Sequence, residues 1–455
     1  MAIQQALHQM PGKPGRDAAA TGETRREASS DEAGCPRHDL NRMGSGLLQE
    51  VLTRENLQLA LKRVRSNKGA AGVDGLGIDE TVKHLKTAWP VIRAQLLAGT
   101  YRPSPVRRVL IPKPEGGERK LGIPTVTDRL IQQALLQVLQ PLLDPGFSDH
   151  SYGFRPGRSA HQAVLAAQQY IHSGRDIVVD VDLEQFFDRV DHDLLIARLS
   201  RKVIDRDVLR LVRAYLNSGT LIDGVVVASE RGTPQGGPLS PLLANVLLDE
   251  VDKELERRGH CFVRYADDAN VYVHSLKAGQ RVMAVLRHLY DRLRLQVNES
   301  KSAIASAFGR KFLGYGFWLS AQGEVKRWVA SKALQTFKSR IRQLTSRNGG
   351  RSLSQVVEGL RPYLLGWKAY FGLSQTPRLW HRFDEWIRRR LRAIQLKQWK
   401  TGRRTYRELR KLGAGPDLAA AVASNSHRFW HKSVGLIHGV LTVAWFDRLG
   451  LPRLC

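Results

Sequence analysis

Apolar residues between Leu47 and Val64 fall at Leu47-Leu48, Val51-Leu52, Leu57, Leu59-Ala60-Leu61 and Val64. That period predicts a helix over the stretch. Asn67 to Gly75 follows as a glycine-rich loop that lacks the Gly-Lys-Ser/Thr ending of a nucleotide P-loop, so no NTPase is read there. Beyond residue 105, strand-like and helix-like pieces alternate. Val106 to Pro112 reads as a strand and Asp128 to Leu143 as an amphipathic helix. Ile177 to Val181 is an apolar strand, Val190 to Leu199 starts a helix, and Leu242 to Leu255 is a further helix. Phe262 to Val273 is two β-rich halves around an acidic centre. Such alternation predicts an α/β or α+β domain. From residue 331 the pattern is helical, with Trp367, Tyr370, Phe371, Trp380, Phe383, Trp386, Trp399 and Tyr406 at helical spacings. Most of these rings are expected in the core of a helical bundle. Residues 1–45 show little apolar periodicity and are expected to be mostly disordered.

Charge changes the picture. The chain has 455 residues, 71 Lys+Arg against 43 Asp+Glu, and a net charge of +28. At roughly 150 residues per domain the length suggests about three domains. An excess of this size points to a polyanionic partner, with nucleic acid the default, and argues against a small-metabolite enzyme with a neutral surface. The excess is uneven. Residues 1–45 are neutral, whereas 331–412 hold 21 basic and four acidic residues, a net +17. Arg388, Arg389, Arg390, Arg392, Arg403 and Arg404 lack acidic balance in the sequence and are expected to grip nucleic-acid phosphates. Cys35, Cys261 and Cys455 are odd in number and far apart, which fits a reducing compartment without disulfides or a zinc pair. Val434 to Phe446 is interrupted and too short to span a membrane, and the N-terminus has no apolar signal core. His427 and His431 stand four apart, but no Glu or Cys completes a metal site.

Acids are scarce in this chain, so their positions are informative. In Ile177-Val178-Val179-Asp180-Val181-Asp182-Leu183, strand alternation puts Asp180 and Asp182 on one face. Tyr265-Ala266-Asp267-Asp268 lies between apolar β-formers and reads as a hairpin with its acids at the turn. Adjacent carboxylates repel unless a cation sits between them, and hard oxygen ligands suit Mg²⁺. Two such ions about 3.5–4 Å apart clamp the attacking and leaving oxygens of a phosphoryl displacement. Arg231 to Pro241 is a shaped loop of glycines and prolines ahead of a helix. Ile111 to Lys120 is a hairpin whose Lys113, Arg119 and Lys120 could neutralise a triphosphate.

Taken in order, these segments resemble the motif series of reverse transcriptases, and specifically of bacterial group II intron-encoded reverse transcriptase/maturases. The resemblance rests on Tyr265–Asp268, Phe186–His192 (Phe-Phe-Asp-x-Val-Asp-His), Pro234–Pro241 (Pro-Gln-Gly-Gly-Pro-Leu-Ser-Pro) and Ser151–Ala160. Val297–Ser302 and Phe312–Tyr315 resemble the later motifs. The series runs from about residue 47 to 411.

The resemblance implies an α+β right-hand polymerase. Fingers and palm would span 47–325, an α-helical thumb or maturase domain 326–412, and a helical, DNA-binding or capping extension 413–455, after a disordered 1–46. It implies an RNA-directed DNA polymerase that adds dNTPs to a DNA primer on an RNA template, using two Mg²⁺ or Mn²⁺ in their place. It also implies a maturase that binds group II intron RNA and a DNA target as a cytoplasmic ribonucleoprotein. Asp182, Asp267 and Asp268 match the metal-binding carboxylates, although Asp180 shares the strand face and leaves the leading acid open. Phe187 resembles the steric gate against a 2′-hydroxyl, and Gln235 the loop residue at the incoming nucleotide. Lys113 and Arg119 resemble the triphosphate cations, and Lys301 the lysine near the leaving pyrophosphate. Many relatives carry a cysteine-paired endonuclease at the C-terminus; no such cysteines stand here, so an endonuclease-lacking type is expected. A reverse transcriptase of another role (retron, diversity-generating or defence) and a splicing cofactor with an idle polymerase are the alternatives.

Overall fold

The computed structural model describes residues 46–112, 117–222, 225–227, 231–233, 236–424 and 429–455. Lys113, Gln235 and His427 therefore lie outside the described residues, as does the stretch expected to be disordered up to residue 45. The described chain is α+β and forms two compact units, 46–305 and 306–455.

The first unit opens with α1 (Leu47–Val51) and α2 (Arg54–Ser66), then α3 (Ile78–Ala98). The single helix expected over Leu47–Val64 is broken at Leu52-Thr53. Thr53 is extended, with φ −65° and ψ 149°. The carbonyls stranded by the break are met locally, because Thr53 Oγ1 donates to Glu50 O at 2.9 Å and Asn56 Nδ2 to Val51 O at 2.9 Å. Strands β1 (Val106–Pro112) and β2 (Glu118–Ile123) form an antiparallel hairpin, and α4 (Val126–Leu143) follows. Thr125 caps α4 by accepting the Asp128 N–H at 3.1 Å. This helix is buried well beyond one face, with Gln132 and Gln133 inside along with Ile131, Leu135 and Leu139.

Next come α5 (Ala160–His172), β3 (Ile177–Val181), the short α6 (Phe186–Arg189), α7 (His192–Leu199) and α8 (Arg206–Leu216). Strands β4 (Thr220–Ile222) and β5 (Val225–Val227) join the first hairpin in a sheet of order β2-β1-β4-β5. After α9 (Ser240–Arg257) the chain forms the hairpin β6 (Cys261–Tyr265) and β7 (Asp268–Val273), then α10 (Leu276–Arg292) and β8 (Ala303–Ser306). The second sheet has the order β6-β7-β3-β8. A continuous apolar core joins α4, α7, α8, α9 and α10 to β3, β6 and β7. This core packs against the second sheet, whose strand ends carry the acids.

The second unit begins with a sheet of order β11-β10-β9, from β9 (Lys311–Phe312), β10 (Tyr315–Leu319) and β11 (Val325–Val329). Helices α11 (Ser331–Leu344), α12 (Leu353–Phe371), α13 (Pro377–Trp399) and α14 (Gly402–Lys411) follow, then the shorter α15 (Pro416–Ala423), α16 (Phe429–Lys432) and α17 (Val443–Arg448). Its core is aromatic. Trp367 packs on Phe337 at 4.1 Å, on Phe371 at 4.7 Å and edge-on to Trp380 at 5.1 Å between ring centroids. The rings of 367–383 thus serve as bundle core, as their spacing predicts. Trp386 is half-buried and Tyr406 exposed.

Candidate active site

Two strand ends bring the acids together. The β3–β7 register pairs Asp180 with Asn270 and Val181 with Ala269. Continued by one residue, it sets Asp182 opposite Asp268. Asp182 lies just past the end of β3, and its peptide is fixed by the 297–302 segment. Asn298 N–H donates to Asp182 O at 2.8 Å, and Ser302 Oγ accepts the Asp182 N–H at 3.0 Å. That segment delivers Lys301, whose Nζ stands 3.5 Å from Asp182 Oδ1. Asp180 faces a different partner. Asn270, with its amide nitrogen turned toward the carboxylate, donates to Asp180 Oδ1 at 3.0 Å.

Asp267 and Asp268 occupy the β6–β7 turn. Tyr265 pairs with Asp268, which leaves Ala266-Asp267 as a two-residue loop. Ala266 has φ 59°, the left-handed value that such a loop needs at its first position. Burial pushes the Asp267 carboxyl up, reinforced by Asp182 and opposed by the Arg119 and Arg264 charges. Asp268 is pushed up to about 7 by burial, then by Asp267, Asp182 and Asp180. Asp268 is thus within electrostatic reach of three other carboxylates where the ends of β3 and β7 come together.

The sequence singled out the acids but missed what holds them. Arg264, on β6, is 1% exposed. Its guanidinium grips Asp252 of α9, with Nε to Oδ1 at 2.8 Å and Nη2 to Oδ2 at 2.6 Å. Its Nη1 donates to Asn245 Oδ1 and to Ala266 O, both at 2.9 Å. Asn245 in turn donates to Gly153 O at 3.0 Å. A Cβ on Gly153 would come within 2.2 Å of Ala266 N, so only glycine fits against the turn. The available signals were a lone arginine inside an apolar strand, and Asn245 and Asp252 two turns apart on one helix face.

Phe187 is buried and meets Phe186 edge-on, 5.1 Å between centroids. Its carbonyl accepts the Thr233 N–H at 2.7 Å, and Val190 O accepts the Gly232 N–H at 2.7 Å. His192 Nε2 stands 2.7 Å from Gly232 O. The Phe186–His192 segment and the start of the glycine-proline loop are thereby one assembly. Arg119, on β2, is close enough to favour the ionised form of Asp267.

The arginine run expected to grip nucleic-acid phosphates divides in two. Arg388 and Arg392 of α13 are 7% and 4% exposed. Arg392 donates twice to Leu441 O, at 3.0 and 2.9 Å, and Arg388 stands 3.8 Å from Asp384. Arg390 donates to Thr345 Oγ1 at 2.5 Å, and Arg389 stacks over Trp430 at 3.9 Å. Arg388 and Arg392 are therefore corrected from surface grips to internal anchors. They sit four apart, on the stripe that also carries Leu391 and packs the 413–455 tail onto α13. Arg403 and Arg404 of α14 are exposed.

The donor chemistry of Asp182, Asp267 and Asp268 suits a hard divalent cation, whose charge would offset the burial and the repulsion that raise Asp268. Among the described residues no three His, Cys, Asp or Glu side chains stand grouped as a ready-made metal site. A Mg²⁺ shell completed by waters and substrate phosphates needs no such cage. No helix among the described residues is long and apolar enough to cross a membrane.

Residues 111–317, which include the β6–β7 hairpin and its acids, match the family model described as reverse transcriptase (RNA-dependent DNA polymerase). Residues 334–413 match the family model described as group II intron, maturase-specific domain, and the two matches in this order are similar to the arrangement of group II intron reverse transcriptase/maturases. It is 29% identical over 358 residues to the group II intron-encoded protein LtrA of Lactococcus lactis subsp. cremoris, covering 64% of this chain and 59% of that protein. Protein YkfC of Escherichia coli (strain K12) is 37% identical over 218 residues, 47% of this chain and 57% of that protein. The retron Mx65 reverse transcriptase of Myxococcus xanthus is 29% identical over 205 residues, 43% of this chain and 46% of that one. The chain thus spans less than two thirds of the length of each.

Proposed function

We propose that the chain is an RNA-directed DNA polymerase that extends a DNA primer on an RNA template with dNTPs. We propose further that it binds group II intron RNA as a maturase and assists splicing and mobility at a DNA target. The observation that carries the polymerase reading is that the end of β3, which bears Asp182, lies against the β6–β7 turn, which bears Asp267 and Asp268. Bound Mg²⁺, as two ions held by these three aspartates, would supply the Lewis-acid charge for phosphoryl transfer. The chain's own contribution is position and charge. Arg119, with Lys113 outside the described residues, neutralises the triphosphate of the incoming nucleotide. Phe187 backs the sugar and excludes a 2′-hydroxyl by bulk. Gln235, outside the described residues, is the residue proposed to meet the incoming nucleotide. Lys301, beside Asp182, meets the leaving pyrophosphate.

The maturase reading is supported by the match over 334–413, which lies outside the reverse transcriptase match. It favours an intron partner over a retron, diversity-generating or defence role. Fingers and palm at 47–325, thumb at 326–412 and an extension at 413–455 remain the proposed division of labour. The test is primer extension on an RNA template with Mg²⁺ and dNTPs, with Asp267→Ala as control. Extension by the wild type alone is expected, and absence of extension by the wild type would leave a splicing cofactor with an idle polymerase. Sequencing the co-purifying RNA tests the partner: intron domains are expected, and a noncoding RNA without them overturns the maturase assignment.

A further inference from the structure

The turn that carries Asp267 begins with a strained residue. Ala266 is held at φ 59°, a left-handed conformation that costs a non-glycine residue about 1–3 kcal/mol. Such a conformation persists only where the surroundings over-determine it. The β6–β7 ladder fixes Tyr265 and Asp268 on either side but reaches neither residue of the loop. Among the described residues Arg264 reaches it, through Nη1 to Ala266 O at 2.9 Å, while Gly153 packs against it.

We propose that Arg264 is a positioning residue for the proposed metal-binding aspartates: it ties the backbone of the Ala266-Asp267 turn to Asp252 and Asn245 of α9. This rests on the polymerase reading for its consequence, not for its geometry. A planar fork suits the task. Four hydrogen-bonding directions are used at once, two to Asp252, one to Asn245 and one to Ala266 O. A lysine carries three donors on one nitrogen and cannot present the fixed planar fork that meets carboxylate, amide and carbonyl in three directions. Asn245 closes the circuit by holding Gly153, whose missing side chain gives the turn its room. Arg264 donates to none of the three acids, although its charge favours the ionised form of Asp267. It sets where their backbone lies, and a displacement of about 1 Å in a catalytic centre costs about 10²-fold in rate.

A purely structural ion pair would make a different prediction. Replacing a buried pair by apolar residues of similar volume is often neutral or stabilising, whereas removing one partner is not. The test therefore compares Arg264→Met combined with Asp252→Leu against wild type in the full chain. Three quantities are read: the melting temperature, Mn²⁺ binding by electron paramagnetic resonance without nucleic acid, and the Mg²⁺ dependence of primer extension. The double variant is expected to melt near wild type, to bind Mn²⁺ about tenfold more weakly, to need about tenfold more Mg²⁺ and to turn over about 10²-fold more slowly. Wild-type Mn²⁺ binding in a folded double variant overturns the proposal. Should that variant not fold, Arg264→Lys decides by the same Mn²⁺ readout. Weakened binding with intact melting supports the clamp, and unchanged binding overturns it. Because Mn²⁺ binding needs no polymerase activity, a wild-type chain that fails to extend primers would remove the polymerase reading and still leave the clamp tested.

Discussion

Two buried arginine systems do opposite work in this molecule. In the first unit, Arg264 is a lone cation inside an apolar strand, and its hydrogen bonds end on the turn that bears Asp267. In the second, Arg388 and Arg392 belong to a conspicuous basic run, yet their partners are Asp384 and the carbonyl of Leu441. The single charge serves the chemistry, and the conspicuous pair serves packing. Density of charge along a sequence is therefore a poor guide to which charges face a ligand. A helix turns every 3.6 residues, so a run of four arginines must send some of them inward.

The comparison is broken most sharply at Gly153. Gly153→Ala is expected to push Ala266 and lower primer extension about 10²-fold, with the fold retained by circular dichroism. Unchanged extension would mean that the turn is not held from this side. In the second unit the effect is on stability instead. Asp384→Ala leaves Arg388 buried without its carboxylate and the Leu454 N–H without its acceptor. A loss of about 3–5 kcal/mol in denaturant unfolding is expected, and a loss under about 1 kcal/mol would return Arg388 to the surface-grip reading.

Acidity sharpens the contrast further. The Asp268 carboxyl lies at about 7 against an ordinary 3.8. An acid raised on folding contributes stability below its ordinary range and loses it as pH rises through the raised value. Without divalent cations, the melting temperature should fall between about pH 4 and pH 7, and Asp268→Asn should flatten that fall. An identical profile in the variant would place the repulsion elsewhere. The smallest effect concerns the exposed cations. Arg403→Gln with Arg404→Gln should leave melting unchanged and reduce the salt slope of RNA binding by about 1 to 2. An unaltered slope would show that α14 faces away from RNA.

Much of the site was legible because strands alternate and acids are rare. Asp180, Asp182 and the Asp267-Asp268 turn follow from period 2 and a two-residue hairpin, and β1 stands at Val106–Pro112 as the pattern predicts. What stayed hidden was the pairing of side chains between elements. Arg264 finds Asp252 and Asn245 on the preceding helix, 12 and 19 residues back, and Gly153 meets Ala266 from a segment more than a hundred residues away. Local side-chain capping also escaped notice, since Thr53 and Asn56 make the break between α1 and α2 inexpensive. The arginines of α13 failed for another reason. Their neighbours Ile387, Leu391 and Ile394 mark the buried stripe, and Arg388 and Arg392 fall on it.

The leading acid offers the most direct test of the proposed centre. Primer extension on an RNA template with Mg²⁺ should be measured side by side for the wild type, Asp182→Asn and Asp180→Asn. With Asp182 opposite Asp268 and Asp180 engaged by Asn270, extension should persist in the wild type and in Asp180→Asn, and fall at least about 10³-fold in Asp182→Asn. Full activity in Asp182→Asn, or its loss in Asp180→Asn alone, would contradict the account.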